Sequence, residues 1–206
     1  ANCNIQFGYL SRPTHQNTSW DYAKIEICAH KWVDLSEKGY GVAMINDSKY
    51  GYNVWNNTLN IDLLRSQMHP GKDADKGHHK FSYELFVHDG DLVKVTEEAY
   101  KFNIAPMAVS GACEGKAAVQ TGSFFQVSAD NIIVEAVKMT EDRSGYVLRM
   151  FECDGRRTTA SVNMNGIKAA ELTNMMEDHG EALTTKDGGF NLTFKPFEIH
   201  TVKVTY

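Results

Sequence analysis

Asn46-Asp47-Ser48-Lys49-Tyr50-Gly51 gathers two acceptor side chains, a hydroxyl, a cation and an aromatic ring within one short stretch. Sugar hydroxyls are recognised by carboxylates and amides, and a ring lies well against the apolar face of a pyranose. The plainer use of the same residues is a strand-ending turn in which Asn and Asp bond to their own backbone. Arg65 follows an apolar run, where its guanidinium could steady a substrate or bridge to a carboxylate on another domain; an ordinary surface ion pair is the alternative. His78, His79 and His88, with Asp73 and Asp75, are the only His/Asp group that suggests a metal. Adjacent histidines in an extended chain point to opposite faces, so two of them do not readily share one ion. A loop histidine bonded to backbone is the better reading. The candidate substrate-binding set is Asn46, Asp47, Lys49, Tyr50, Arg65 and His79, with no catalytic residue and no metal ligand. Tyr83, Glu84 and His88 have no second carboxylate at a readable spacing, and neither a Gly-rich phosphate loop nor a G-x-S-x-G elbow occurs.

The elements that must position these groups read as strands. Tyr40 to Ile45 is Gly-opened and apolar, a buried strand flanked by loops, His30 to Gly39 before it and Asn46 to Gly51 after it. Tyr22 to Ala29, Leu59 to Arg65 and Phe81 to Val87 alternate with a period of two. Ser66 to Lys80 is a polar connection too long for a tight hairpin, hence a candidate functional loop. Leu92 to Phe102 reads as a helix with Val95, Ala99 and Phe102 on one face. Residues 109–121, rich in Ala, Gly and Ser, read as a linker between a first domain, 1–108, and a second, 122–206. In the second, Ile132 to Met139, Tyr146 to Cys153, Thr158 to Met164, Ile167 to Leu172, Gly189 to Phe194 and Phe197 to Tyr206 read as antiparallel strands of a small β-sandwich. The fold class is all-β, with a helix only near Leu92 to Phe102.

Composition narrows the function classes. The chain has 206 residues, 42 % hydrophobic and 11 % aromatic, which is a folding composition. A formal charge of −5 without a basic run argues against nucleic acid as a partner. No apolar stretch approaches the roughly 20 residues of a membrane helix. Four scattered cysteines, Cys3, Cys28, Cys113 and Cys153, without a C-x-x-C pair and without a signal peptide, lead to the expectation of a reduced, cytoplasmic protein with no membrane contact.

Six stretches taken in order resemble one family. They are Arg12 to Asp21; His30 to Gly51; Leu63-Leu64-Arg65-Ser66; Asp75-Lys76-Gly77-His78-His79-Lys80-Phe81-Ser82-Tyr83; Val87-His88-Asp89-Gly90; and the pair Leu148 to Glu152 with Lys195 to Ile199. Together they resemble the C-terminal region of glycoside hydrolase family 38, the class II α-mannosidases, in the branch with cytosolic and vacuolar enzymes. A Val stands at 87 where the family pattern has Pro. The resemblance implies antiparallel β-sandwiches, the first being part of a large galactose-mutarotase-like super-sandwich and therefore incomplete here. It further implies a retaining exo-α-mannosidase whose nucleophile and zinc site lie upstream of this chain, so that the chain needs no cofactor of its own and is inactive alone. The implied partners are mannose-containing oligosaccharides and the N-terminal catalytic domains of the same enzyme, with a homo-oligomer as a further option. A non-catalytic carbohydrate-binding module is the alternative. If the chain is part of a larger enzyme, an exposed apolar patch is expected near Trp32, Tyr50 and Trp55.

Overall fold

The computed structural model describes residues 1–111 and 121–206; the rest of the stretch read as a linker lies outside the described residues. The chain divides into two compact units, Ala1–Pro106 and Met107–Tyr206. Both are built mainly from antiparallel sheets.

The first unit contains β1 (Asn2–Ile5), β2 (Gly8–Ser11), α1 (Ser19–Tyr22), β3 (Glu26–Cys28), β4 (Trp32–Glu37), β5 (Tyr40–Asn46), β6 (Gly51–Trp55), β7 (Thr58–Asp62), β8 (Tyr83–His88) and α2 (Leu92–Asn103). One sheet runs β2-β1-β4-β5-β8 and the other β3-β6-β7. Alternation along the central strands assigns their two faces. Cys3, Val33 and Met44 meet Tyr52, Val54 and Ile61 of the smaller sheet. Trp32, Ala43 and Ile45 turn the other way, onto Val95 and Ala99 of α2, with Phe102 packed beside them. The central sheet is thus covered on both faces where β4 and β5 run, which is why Tyr40 to Ile45 reads as uniformly apolar.

Three sequence expectations are corrected here. The run Tyr22 to Ala29 is a strand only over Glu26–Cys28, because Thr18 and Asp21 close a capping box that starts α1 and draws Tyr22 into it. The segment before Tyr40, read as a loop, is largely the strand β4. It begins apolar, with Trp32 and Val33 in the core, but then buries the charged Asp34 and ends on the exposed Ser36 and Glu37. Asp34 is fully buried; its carboxylate accepts from His88 Nε2 at 2.8 Å, Ser36 Oγ at 2.6 Å and Asn2 Nδ2 at 3.0 Å. Gly90 N donates to His88 Nδ1 at 3.2 Å, which leaves Nε2 to carry the proton toward Asp34. Gly41 faces this cluster, and a Cβ there would sit 2.4 Å from the His88 ring. The third correction concerns Arg65: β7 stops at Asp62, so Arg65 does not end a strand.

The second unit contains β9 (Gln126–Val127), β10 (Ile132–Met139), β11 (Gly145–Glu152), β12 (Thr158–Asn163), β13 (Ala169–Thr173), β14 (Glu181–Leu183), β15 (Thr185–Lys186), β16 (Gly189–Phe194) and β17 (Ile199–Thr205). A sheet ordered β10-β11-β17-β13-β14 faces one ordered β15-β16-β12-β9. Leu148, Met150, Val202 and Val204 of the first meet Ala160, Val162, Phe190 and Phe194 of the second in a single core. This is a β-sandwich. Its rim is held by Glu152, whose buried carboxylate accepts from Asn131 Nδ2 and from the main-chain N–H groups of Asp154, Gly155, Arg156 and Phe197.

Candidate functional site

Asn46 ends β5 in one sheet and Gly51 opens β6 in the other, so the intervening turn must carry the chain between layers. Asn46 makes that possible. Its Oδ1 accepts from Ser48 N at 3.0 Å and Lys49 N at 2.6 Å, an Asx-type turn. Its Nδ2 donates to the His30 carbonyl at 2.8 Å and to the Tyr52 hydroxyl. Asn103, at the end of α2, donates to the Asn46 carbonyl at 3.1 Å. Asn46 is 1 % exposed and its amide is fully engaged, so its place in the candidate sugar-contact set is corrected: it shapes the turn. Burial pushes the Tyr52 hydroxyl well above its ordinary value, and it stays a neutral hydrogen-bonding group.

The groups presented outward are Asp47, Lys49 and Tyr50. Asp47 Oδ2 accepts from Ser82 N at 3.0 Å, Oδ1 accepts from Ser48 Oγ at 2.9 Å, and Asp47 N donates to Ser82 O at 3.3 Å. The Ser82 backbone N–H holds the Asp47 carboxyl below its usual range, so it is ionised at neutral pH. The Lys49 ammonium lies 5.1 Å from the centre of the Phe81 ring. Tyr50 is exposed and meets His30 edge to face at 5.7 Å. The segment before β8 therefore belongs to the site, through Phe81 and Ser82. Neither is in the candidate set read from the sequence, where Phe81 and Ser82 open an alternating run; what brings them to the turn is the pairing of β8 with β5, which sets Asn46 opposite Tyr83.

Arg65 and His79 sit apart from this contact network. Their polar loop is closed by Ser66 N donating to Asp75 Oδ2 at 2.8 Å, and a His79 ring nitrogen lies 2.8 Å from the Asp75 carbonyl. Arg65 is exposed, with no hydrogen bond or ion pair to another described residue. His88 is a buried structural partner of Asp34, not a neighbour of His78 in a metal site. Among the described residues no group of three His, Cys, Asp or Glu side chains converges as a metal site would require. The aromatic residues divide in two: Trp32 and Tyr52 are core, whereas Tyr40, Tyr50 and Trp55 are about half exposed. Of the three residues expected to mark an exposed apolar patch, Trp32 is buried while Tyr50 and Trp55 are exposed.

The arrangement is an ionised carboxylate, an ammonium and an exposed phenol carried on a turn braced by α2 and by the approach to β8. It can hold a polyhydroxylated ligand by charge-assisted hydrogen bonds. It offers no second carboxylate placed for acid–base work.

Comparison with known proteins gives two matches to family models. Residues 1–73 match the glycosyl hydrolases family 38 C-terminal domain, and residues 131–202 match the glycosyl hydrolases family 38 C-terminal beta sandwich domain. The chain is 38 % identical to human alpha-mannosidase 2C1 over 97 % of its length, and 36 % identical to alpha-mannosidase G of Dictyostelium discoideum over 98 %. It is 31 % identical to an alpha-mannosidase of Saccharomyces cerevisiae over its whole length. It spans about a fifth of each of these relatives: 20, 19 and 21 %. Among solved structures, the crystal structure of an alpha-mannosidase from Enterococcus faecalis matches 98 % of the chain with a TM-score of 0.77 at 21 % identity, covering 24 % of that protein. This last likeness concerns fold.

Proposed function

The chain belongs to the C-terminal region of the glycosyl hydrolases of family 38, and from that premise we propose that it works as the C-terminal part of a longer α-mannosidase. In this reading it braces the catalytic domains and frames the sugar site, and it does not turn over substrate alone. One observation carries the reading: relatives that are alpha-mannosidases match nearly every residue of the chain in order, yet each is about five times as long.

The parent enzyme is read as a retaining exo-α-mannosidase acting on mannose-containing oligosaccharides. Retention calls for two carboxyl groups about 5 Å apart across the anomeric carbon, one of them forming the glycosyl ester. Asp47 is not such a pair: its carboxylate is tied to Ser82 and Ser48 on a turn. Its role is to accept hydrogen bonds from sugar hydroxyls, with Lys49 and Tyr50 beside it. The described residues do not fit a zinc site, so the zinc implied by the family is assigned to the part of the enzyme outside this chain. A cytoplasmic location is proposed with it; Cys3, Cys28 and Cys153 are free thiols, as in a reducing compartment.

Hydrolysis of an aryl α-mannoside tests the proposal. Parent-length enzyme should release the phenol, and the 206-residue chain should release none, with or without added zinc. Turnover by the chain alone would overturn it. Titration of the chain with mannose or mannobiose distinguishes the binding-module alternative: saturable binding by the isolated chain would favour that alternative, and absence of heat supports a frame that works only within the whole enzyme.

A further inference from the structure

The direction in which Asp47 presents its carboxylate is set at one peptide group, the plane joining Asn46 to Asp47. The N–H of that plane, on Asp47, donates to Ser82 O at 3.3 Å. Its carbonyl, on Asn46, accepts from Asn103 Nδ2 at 3.1 Å. Both polar ends are therefore pinned, one by the approach to β8 and the other by the last residue of α2. A plane held at one end only can turn about that bond and carry the Asp47 side chain with it.

Asn103 is held in place for this contact. Its Nδ2 also donates to Ala99 O at 2.9 Å, four residues back in its own helix. Both acceptors are carbonyls, so the group between them is the NH₂, and each of its protons has a partner. The bond to Ala99 fixes the amide so that its second proton meets Asn46. The helix behind it is seated by Val95 and Ala99 on Trp32, Ala43 and Ile45. One residue type cannot easily replace this arrangement: the donor must be forked and short. The same last turn of α2 grips the other side of Asn46. There the Tyr100 ring takes the Lys31 ammonium at 4.6 Å, and Lys31 O accepts from Asn46 N at 3.0 Å.

We propose that Asn103 is a positioning residue of the sugar-framing turn: its amide fixes the plane between Asn46 and Asp47 and so aims the Asp47 carboxylate. It acts through Asp47 and not on the sugar. This rests on the reading of Asp47 as a sugar contact. The competing role is a helix end alone, in which the Ala99 bond closes α2 and the bond to Asn46 has no bearing on turnover.

Kinetics of parent-length enzyme on an aryl α-mannoside separate the two roles, using Asn103→Ala, Asp47→Ala, the double variant and Glu97→Gly. Glu97 is exposed in the middle of α2, so glycine there loosens the helix without touching the turn. Asn103 is only half-buried at the helix end, and its replacement leaves the core intact. Asn103→Ala should lower kcat/KM about three- to tenfold, since a misdirected carboxylate keeps part of its hydrogen bonding. Added to Asp47→Ala, it should lower kcat/KM by less than about twofold more, because the group it aims is gone. Glu97→Gly should lower the melting temperature and leave kcat/KM at the wild-type value. Wild-type kcat/KM in Asn103→Ala would overturn the proposal. So would its full effect persisting in the double variant, or an equal loss in Glu97→Gly. Wild-type kcat/KM in Asp47→Ala alone would strike the reading of the turn as a sugar frame, and this proposal with it; impairment there beside a normal Asn103→Ala enzyme would strike Asn103 only.

Discussion

Replacing Glu152 by Gln should destabilise the second unit by more than any surface change in it. The wild-type carboxylate is fully buried and takes five N–H donors: Asn131 Nδ2 at 2.7 Å, Asp154 N and Gly155 N at 2.8 Å, Phe197 N at 2.9 Å and Arg156 N at 3.2 Å. Glutamine keeps the shape but replaces one oxygen by a donor. Placed at Oε2, the new NH₂ would face the N–H groups of Gly155, Arg156 and Phe197. Placed at Oε1, it faces only Asp154 N and Asn131, whose amide can flip because its other partner, Thr158 Oγ1, is a hydroxyl able to donate in return. The second placement is cheaper. It still orphans one buried N–H, at about 1–3 kcal/mol, and weakens the remaining bonds from charged to neutral, so a total near 3 kcal/mol is expected. Glu152→Leu removes every acceptor and should cost about 5 kcal/mol or more. All three tryptophans, Trp20, Trp32 and Trp55, lie in the first unit, so their fluorescence follows that unit alone while far-ultraviolet circular dichroism follows both. In urea, Glu152→Gln should shift the dichroism component of the second unit to lower denaturant and leave the fluorescence transition in place. A loss below about 1 kcal/mol would refute the idea that the carboxylate, rather than the surrounding turns, organises this rim.

Three further predictions come from buried groups elsewhere in the two units. Gly41→Ala puts a methyl group into the His88 ring and the Ser36 side chain, and should cost about 2–3 kcal/mol, read from tryptophan fluorescence during urea unfolding; wild-type stability would mean the His88–Asp34 cluster yields freely. Burial pushes the Cys153 thiol up to about 12, with the neighbouring Glu152 and Asp154 charges adding to it, whereas Cys28 is exposed. Iodoacetamide should therefore modify Cys28 in the native protein well before Cys153, by peptide mapping. Unfolded chain ionises this thiol near its ordinary value of 9.0 while folded protein keeps the proton, so stability should fall as pH rises from about 9 toward 12, and a Cys153→Ser variant should lose that part of the decline.

How much of this could be read from residues alone depended on what each strand buries. β10, β11, β12 and β16 bury apolar side chains in the sandwich core, and their alternation located them to within a residue. β4 escaped because it buries the charged Asp34, satisfied by His88 and Asn2 from distant strands, and ends on exposed polar residues. A buried carboxylate has the pattern of a loop residue until its partners are known. The same distance effect hid Glu152, whose donors come from residue 131 to residue 197. The start of α1 was written locally, in Thr18 and Asp21, but the neighbouring alternation was read instead. For the candidate site, Asn46 through Tyr50 announced a turn rich in polar and charged side chains. That Asn46 faces inward, and that Ser82 and Phe81 complete the turn, depends on the pairing of β5 with β8, a contact between segments some forty residues apart.

The central claim is that the turn after β5 frames the sugar site of a longer mannosidase, and Asp47→Ala in parent-length enzyme tests it most directly. Charge-assisted hydrogen bonds are worth about 1.5–3 kcal/mol, which converts to a loss of about ten- to a hundredfold in kcat/KM for an aryl α-mannoside. Asp47 is exposed and held by Ser82 and Ser48 alone, so the melting temperature should change little. A kcat/KM lowered on that scale with an unchanged melting temperature is the result this account predicts. Wild-type kcat/KM and wild-type melting temperature in the Asp47→Ala enzyme would contradict it, and would leave Asn46 to Gly51 as a turn and nothing more.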